Sequence, residues 1–195
     1  LEGQTVIVQE RAKHTKQKLL EAAMDLFHSG GVANTTLHNV AARAGVPLGN
    51  VYYHFKTKDD LVAEVIAARS TEIDLALAAL DCFDDPKERL LAFISSDDAE
   101  RQLLTAHGCP YAGLVTDLVK EGNRQSGSAS VLLEKYVGFV EAQLVQMRLP
   151  ATEARGLAEE LIATLQGAYL LANAFDSQAL FQRQLERLAA HIRAL

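Results

Sequence analysis

The run GNVYYHFKTKDDL, from Gly49 to Leu61, gathers Asn50, Tyr52, Tyr53, His54, Lys56 and Lys58 between turn signals. Phenol, imidazole and ammonium groups donate hydrogen bonds to anionic oxygen, and a carboxamide both donates and accepts. Such a set suits phosphate oxygens and, for Asn50, the edge of a base. If the run is helical, Val51 and Phe55, four residues apart, pack inward and turn Asn50, Tyr52, Tyr53 and His54 onto other faces. Gly49 leaves room for close backbone approach, and Lys58 adds charge at the start of the next helix, where N–H groups favour an anion. Taken singly, Tyr52, Tyr53 and His54 read better as packing residues at a helix crossing. Their combination is what points to a nucleic-acid surface.

The chain around this run has 195 residues, enough to bury a substantial core in one large domain or two smaller ones. Its formal net charge of −6 argues against a nucleic-acid partner only until the charge is divided by segment. Residues 1–68 hold seven Lys/Arg and seven Asp/Glu, leaving 12 and 18 for the remainder, and four of the six histidines lie in the first segment. A local basic face is therefore compatible with an acidic protein. Cys82 and Cys109 are too few for a disulfide framework and lack metal-site spacing, and there is no H-E-x-x-H, so neither a metal nor a cofactor is expected. The uncharged stretch Leu161–Phe175 contains Thr164, Gln166 and Asn173 and falls short of a membrane span. The first residues lack secretory-signal features. A cytoplasmic protein with a loose N-terminal arm is expected.

Helix-period patterning dominates, and an all-α fold of about nine helices is expected. Leu19, Leu20, Ala23, Leu26 and Phe27 make the apolar stripe of a first helix that ends at Gly30-Gly31. Thr36 can cap a second helix that Gly45 stops, and a third spans Leu48 to Phe55. Thr57 with Asp60 opens a fourth, running towards Leu80, and Asp85-Pro86 opens a fifth with a break expected near Ser95-Ser96-Asp97-Asp98. A sixth begins near Pro110, a polar loop expected to be mobile covers Gly122 to Ser130, and three more helices follow: Val131–Met147, about Thr152–Ala174 and about Ser177–Ala194. The second and third helices have the spacing of a helix-turn-helix, whose second member enters the major groove.

Residues 36–61, TLHNVAARAGVPLGNVYYHFKTKDDL, closely resemble the DNA-binding domain of TetR-family transcriptional regulators, T-x-x-x-[IV]-A-x-x-A-G-V-x-x-G-x-[LV]-Y-x-[HY]-F-x-x-K-x-x-L. Thr36, Val40, Ala41, Ala44, Gly45, Val46, Gly49, Val51, Tyr52, His54, Phe55, Lys58 and Leu61 carry the match. The resemblance implies an arm and helix-turn-helix domain over residues 1–56 and a helical regulatory domain over 57–195, with a connecting helix at 57–80. It implies backbone contacts from Thr36, Tyr52, His54 and Lys58, and base-facing positions at Leu48, Gly49, Asn50 and Tyr53, with His38 nearby. Leu48 departs from the polar residue common at its position: it cannot hydrogen-bond a base but could touch a thymine methyl. Arg11, Lys13, His14 and Lys16 add phosphate contacts or are simply a solvated basic tail.

In the last helix Phe181, Leu185, Leu188, Ile192 and Leu195 recur at spacings of four, three, four and three, a heptad-like seam. The helix before it has Gly167, Ala168 and Ala172, which permit close helix approach. A monomer can bury one of these faces, and the resemblance implies a homodimer through residues 152–194 that binds a partly palindromic operator on double-stranded DNA. It also implies a receptor for a small-molecule inducer. The candidate lining comprises the aromatic Phe93, Tyr111, Tyr136, Phe139 and Tyr169, the aliphatic Leu104, Leu114 and Val140, and the polar Gln143, Gln166 and Asn173; each is also readable as ordinary core. Cys109, directly before Pro110 and so near a helix N-terminus, stands where some members of the family sense electrophiles or oxidants, although a structural cysteine is the simpler reading. Two other classes compete: an enzyme with Cys109 as nucleophile, which lacks an identifiable acid and oxyanion feature, and a helical adaptor, which has no need of donors at Tyr52, His54 and Lys58.

Overall fold

The computed structural model describes the backbone of residues 2–95 and 98–195 and the side chains of residues 9–95 and 102–195. No strand occurs among the described residues; the elements are α1 (Glu2–Gly30), α2 (Leu37–Ala44), α3 (Leu48–His54), α4 (Lys58–Ala79), α5 (Pro86–Phe93), α6 (Asp98–His107), α7 (Pro110–Lys120), α8 (Ser126–Ala129), α9 (Val131–Gln146), α10 (Ala151–Ala174) and α11 (Gln178–Ala194), with a 3-10 turn at Leu80–Cys82. The chain forms two compact units: Leu1–Arg69 with Leu114–Ala129, and Ser70–Gly113 with Ser130–Leu195.

In the first unit α1 is continuous from Glu2, where a loose arm was expected, because no proline or glycine interrupts the helix from Gln4 to Ser29. Its stripe of Leu19, Leu20, Ala23 and Phe27 is buried. Thr36 caps α2 reciprocally with Asn39: the Asn39 N–H donates to the Thr36 hydroxyl oxygen at 3.1 Å and the Thr36 N–H to Asn39 Oδ1 at 2.9 Å. Gly45 ends α2 at φ 67, a left-handed conformation that a side chain would penalise. Thr57 and Asp60 repeat the reciprocal cap at the start of α4, at 2.9 and 3.1 Å. The polar segment after α7, expected to be a loop, contains α8; Asn123 turns the chain into it by accepting from the Gln125 N–H at 2.8 Å, and Ala129 is buried.

In the second unit α9, α10 and α11 surround a core that includes Val140, Leu144, Leu161, Leu165, Phe181, Leu188 and Ile192. Arg155 on α10 ties itself to α9 through Glu134 at 2.7 Å and Glu141 at 3.4 Å. The expected fifth helix is two: α5 is capped by Asp85, which accepts from the Lys87 N–H at 2.9 Å, and ends at Phe93, while α6 starts at Asp98. Ser96 and Asp97, within the expected break, lie outside the described residues. The heptad-like seam of α11 is not an outer face. Phe181, Leu185, Leu188 and Ile192 are buried in the core of a single chain, since hydrophobic spacing marks a buried stripe without saying which neighbour covers it; Leu195 alone stays exposed.

Candidate functional site

α2 and α3 pack together, and α3 is anchored by Val51 and Phe55, 0% and 1% exposed. Their burial fixes what the other faces of α3 present. Tyr52 is 48% and Tyr53 72% exposed, and Gly49 and Asn50 are also exposed. Leu48 is half-buried, which limits it to apolar contact from its edge. No protein side chain approaches Gly49: a Cβ built there meets nothing within 4 Å. Glycine at this position is thus not required by the fold. Thr36 and His38 are exposed at the start of α2, in the same unit, although the Thr36 hydroxyl is already committed to Asn39, donating to its Oδ1 at 2.6 Å.

Two expected phosphate ligands are partly occupied by the protein. Lys58 donates from Nζ to the carbonyls of Val32 and, at 3.4 Å, Ala33, so its ammonium closes the turn after α1 and keeps only part of its donor capacity for an outside anion. His54 is half-buried, with its ring edge-on to Tyr53 at 4.9 Å. Burial, and secondly the Lys16 ammonium, hold the imidazole below its ordinary pKa of 6.5, so it is neutral at pH 7 and offers one N–H donor. Lys16 itself is paired with Glu64 at 2.9 Å.

The same unit contains residues that sequence patterning did not single out. Asp117 on α7 accepts from the Val32 N–H at 3.0 Å, and Asp59 at the head of α4 is paired with Arg124 at 3.0 Å and accepts from Asn123 at 3.3 Å. These bonds fasten the α7–α8 segment to the turn after α1 and to the first turn of α4. Polar residues at isolated positions carry no periodicity, so nothing in the sequence marks them.

The second unit has a partly open cavity of about 310 Å³. Of the residues expected to line a receptor, Phe93, Leu104, Tyr111, Tyr136, Gln166 and Tyr169 come together on it, joined by Cys109. The rings of Phe93 and Tyr136 lie 5.5 Å apart and those of Tyr111 and Tyr136 5.6 Å, and burial together with Tyr111 pushes the Tyr136 phenol well above its ordinary range, so it stays protonated. The other five lie elsewhere. Leu114 is buried in the first unit, Val140 in the core, and Phe139 packs behind Phe93 at 5.4 Å. Gln143 is buried and donates to the Phe139 carbonyl at 3.3 Å while accepting from Arg89 at 3.3 Å. Asn173 is exposed and donates to the carbonyls of Thr105 and Ala106 at 3.0 and 2.7 Å. Leu77, Leu80, Ile162 and Leu165 are among the other lining residues; as aliphatic residues they are indistinguishable in sequence from ordinary core. At Cys109 the Ala112 N–H, in the first turn of α7, donates to Sγ at 3.5 Å.

An all-helical chain with a helix-turn-helix exposed in one of its units has the form of a DNA-binding regulator. Comparison with known proteins gives the family. Bacterial regulatory proteins of the tetR family match over residues 19–65. The chain is 42% identical over 186 residues to the HTH-type transcriptional regulator AcrR of Shigella flexneri, covering 86% of this chain and 84% of that one. It is 28% identical over 171 residues to the HTH-type transcriptional regulator TtgR of Pseudomonas putida, covering 81% and 80%. Against TtgW and SrpR of Pseudomonas putida the match is confined to 64 residues, 48% and 30% of their lengths. A TetR transcriptional regulator from Legionella pneumophila shares the fold, with a TM-score of 0.79 at 18% identity over 90% of this chain and 96% of that one. The chain belongs to the TetR family of transcriptional regulators, with an N-terminal helix-turn-helix DNA-binding domain. These relatives are regulators and not enzymes. Among the described residues no helix is long and apolar enough to cross a membrane.

Proposed function

We propose that the protein is a homodimeric repressor that binds a partly palindromic operator and is released by a small-molecule inducer. The observation that carries the reading is the exposure of Asn50, Tyr52 and Tyr53 on a helix pinned from behind by Val51 and Phe55. A rigid helix with exposed donors is suited to a major groove, with Asn50 and Tyr53 towards base edges and Tyr52 at a phosphate. Two such helices, related by a two-fold axis, read a palindrome. The dimer face supported here is the outer side of α10, where Leu170, Leu171 and Phe175 are 67%, 42% and 64% exposed, and not the buried seam of α11. An inducer in the cavity acts by differential affinity, favouring a state in which α4 and α7, whose residues belong to both units, are rearranged. Selection from a random duplex pool by the purified protein at two salt concentrations tests this. Enrichment of a palindrome whose binding weakens with salt is expected; no enrichment even at low salt would leave a helical adaptor as the better reading.

A second reading concerns the signal. Cys109 lines the cavity, and its Sγ takes an N–H bond from Ala112 at the start of α7. If a thiol-reactive signal acts here, N-ethylmaleimide releases DNA from the wild type and not from Cys109→Ser. Equal release from both removes this reading.

A further inference from the structure

The cavity of the second unit also limits what its occupant can be, an inference that rests on reading it as the inducer site. Among the described residues none that lines it is charged. An ammonium or carboxylate ligand would leave water for a site whose described lining offers no opposite charge, a cost that neutral side chains offset only in part. The apolar wall is aromatic: Phe93, Tyr111 and Tyr136 form a contiguous ring cluster with centroids 5.5 and 5.6 Å apart, suited to an aromatic ligand in offset or edge contact. The polar side chains of the described lining are Ser95, whose hydroxyl donates to the Ala92 carbonyl at 2.7 Å, the tyrosines and, as a carboxamide, Gln166. Its side chain reaches the cavity from α10 and has no hydrogen-bond partner among the described residues. A half-buried carboxamide with donor and acceptor both available is matched by a neutral group such as a hydroxyl or carbonyl. At about 310 Å³ the space is at the lower end of ligand cavities, which run from ~300 to 1,000 Å³, so the ligand is small.

We propose that the cavity binds a small uncharged aromatic compound carrying one hydroxyl or carbonyl group, held by the ring cluster and oriented by the Gln166 amide. Discrimination then comes from desolvation. Charged analogues of the same frame are disfavoured because no described residue of the wall carries a charge to replace their hydration.

The test is isothermal titration of the full chain, without DNA, using 4-phenylphenol, biphenyl-4-carboxylate and biphenyl-4-ylmethylammonium, which share one frame and differ in the charge of a single substituent. The phenol is expected to bind at least about tenfold more tightly than either ion. Equal or tighter binding of an ion, or no binding of the phenol, overturns the proposal. Gln166→Leu is expected to lose most of the preference for the phenol over unsubstituted biphenyl while still binding biphenyl, which also shows that the variant is folded. An unchanged preference removes Gln166 from the assignment. Release of an operator duplex by 4-phenylphenol is measured separately: binding without release supports the ligand class and defeats the inducer reading.

Discussion

At the scale of single residues, Gly49 separates folding from recognition. It sits in α3 with open space around its Cα, and alanine is the better helix former by roughly 0.5–1 kcal/mol. Gly49→Ala is therefore predicted to raise the melting temperature while weakening duplex binding, read by thermal unfolding and fluorescence anisotropy; unweakened binding would mean that no DNA approaches this position. Asn50→Ala is predicted to relax preference at one base pair, by about 1–3 kcal/mol, while Tyr52→Phe weakens all sequences alike. If a competition assay cannot tell the two variants apart, the division into base and phosphate contacts fails. Lys58→Ala should reduce stability as well as affinity, because its ammonium holds the Val32 and Ala33 carbonyls. For His54 the folded pKa lies below the unfolded one, so the unfolded chain takes up a proton that the folded chain does not as pH falls below about 6.5, and stability is lost in that direction. Replacement by asparagine should flatten the decline of the melting temperature between about pH 7.5 and 5.5; an identical decline would show that His54 does not contribute.

At the scale of elements, helix starts were the most legible feature. Thr36, Thr57 and Asp85 all cap where their side-chain chemistry and spacing placed them, because a cap is a local bond between residues two or three apart. What α7 does was not legible. It starts at Pro110 as expected, yet its partner through Asp117 is Val32, 85 residues earlier. Removing that acceptor strands an N–H, so Asp117→Ala is predicted to cost about 1–3 kcal/mol in denaturant unfolding. A loss below about 0.5 kcal/mol would mean that water replaces the carboxylate. The seam on α11 makes the complementary point: four-three spacing reported correctly that one face is buried but not against what.

At the scale of the whole molecule, the placement of the α11 seam in the chain's own core shifts the proposed dimer contact to the outer face of α10. Leu170→Glu with Phe175→Glu is predicted to give monomers in light scattering and to reduce affinity for a full palindrome to near that for a half-site, with helicity unchanged. A dimer that persists would place the contact elsewhere. The all-helical class, the helix-turn-helix and the identity of its exposed donors were determined by sequence alone, because they depend on periodicity, caps and glycine stops within short spans. Which six of eleven candidate residues meet at one cavity, that residues 114–129 pack with the N-terminal helices, and that Lys58 and Asp117 hold the same turn were decided only by the tertiary structure. Those outcomes depend on contacts between residues far apart in the chain, where an apolar stripe or an isolated polar side chain fits many partners and only the folded packing selects one.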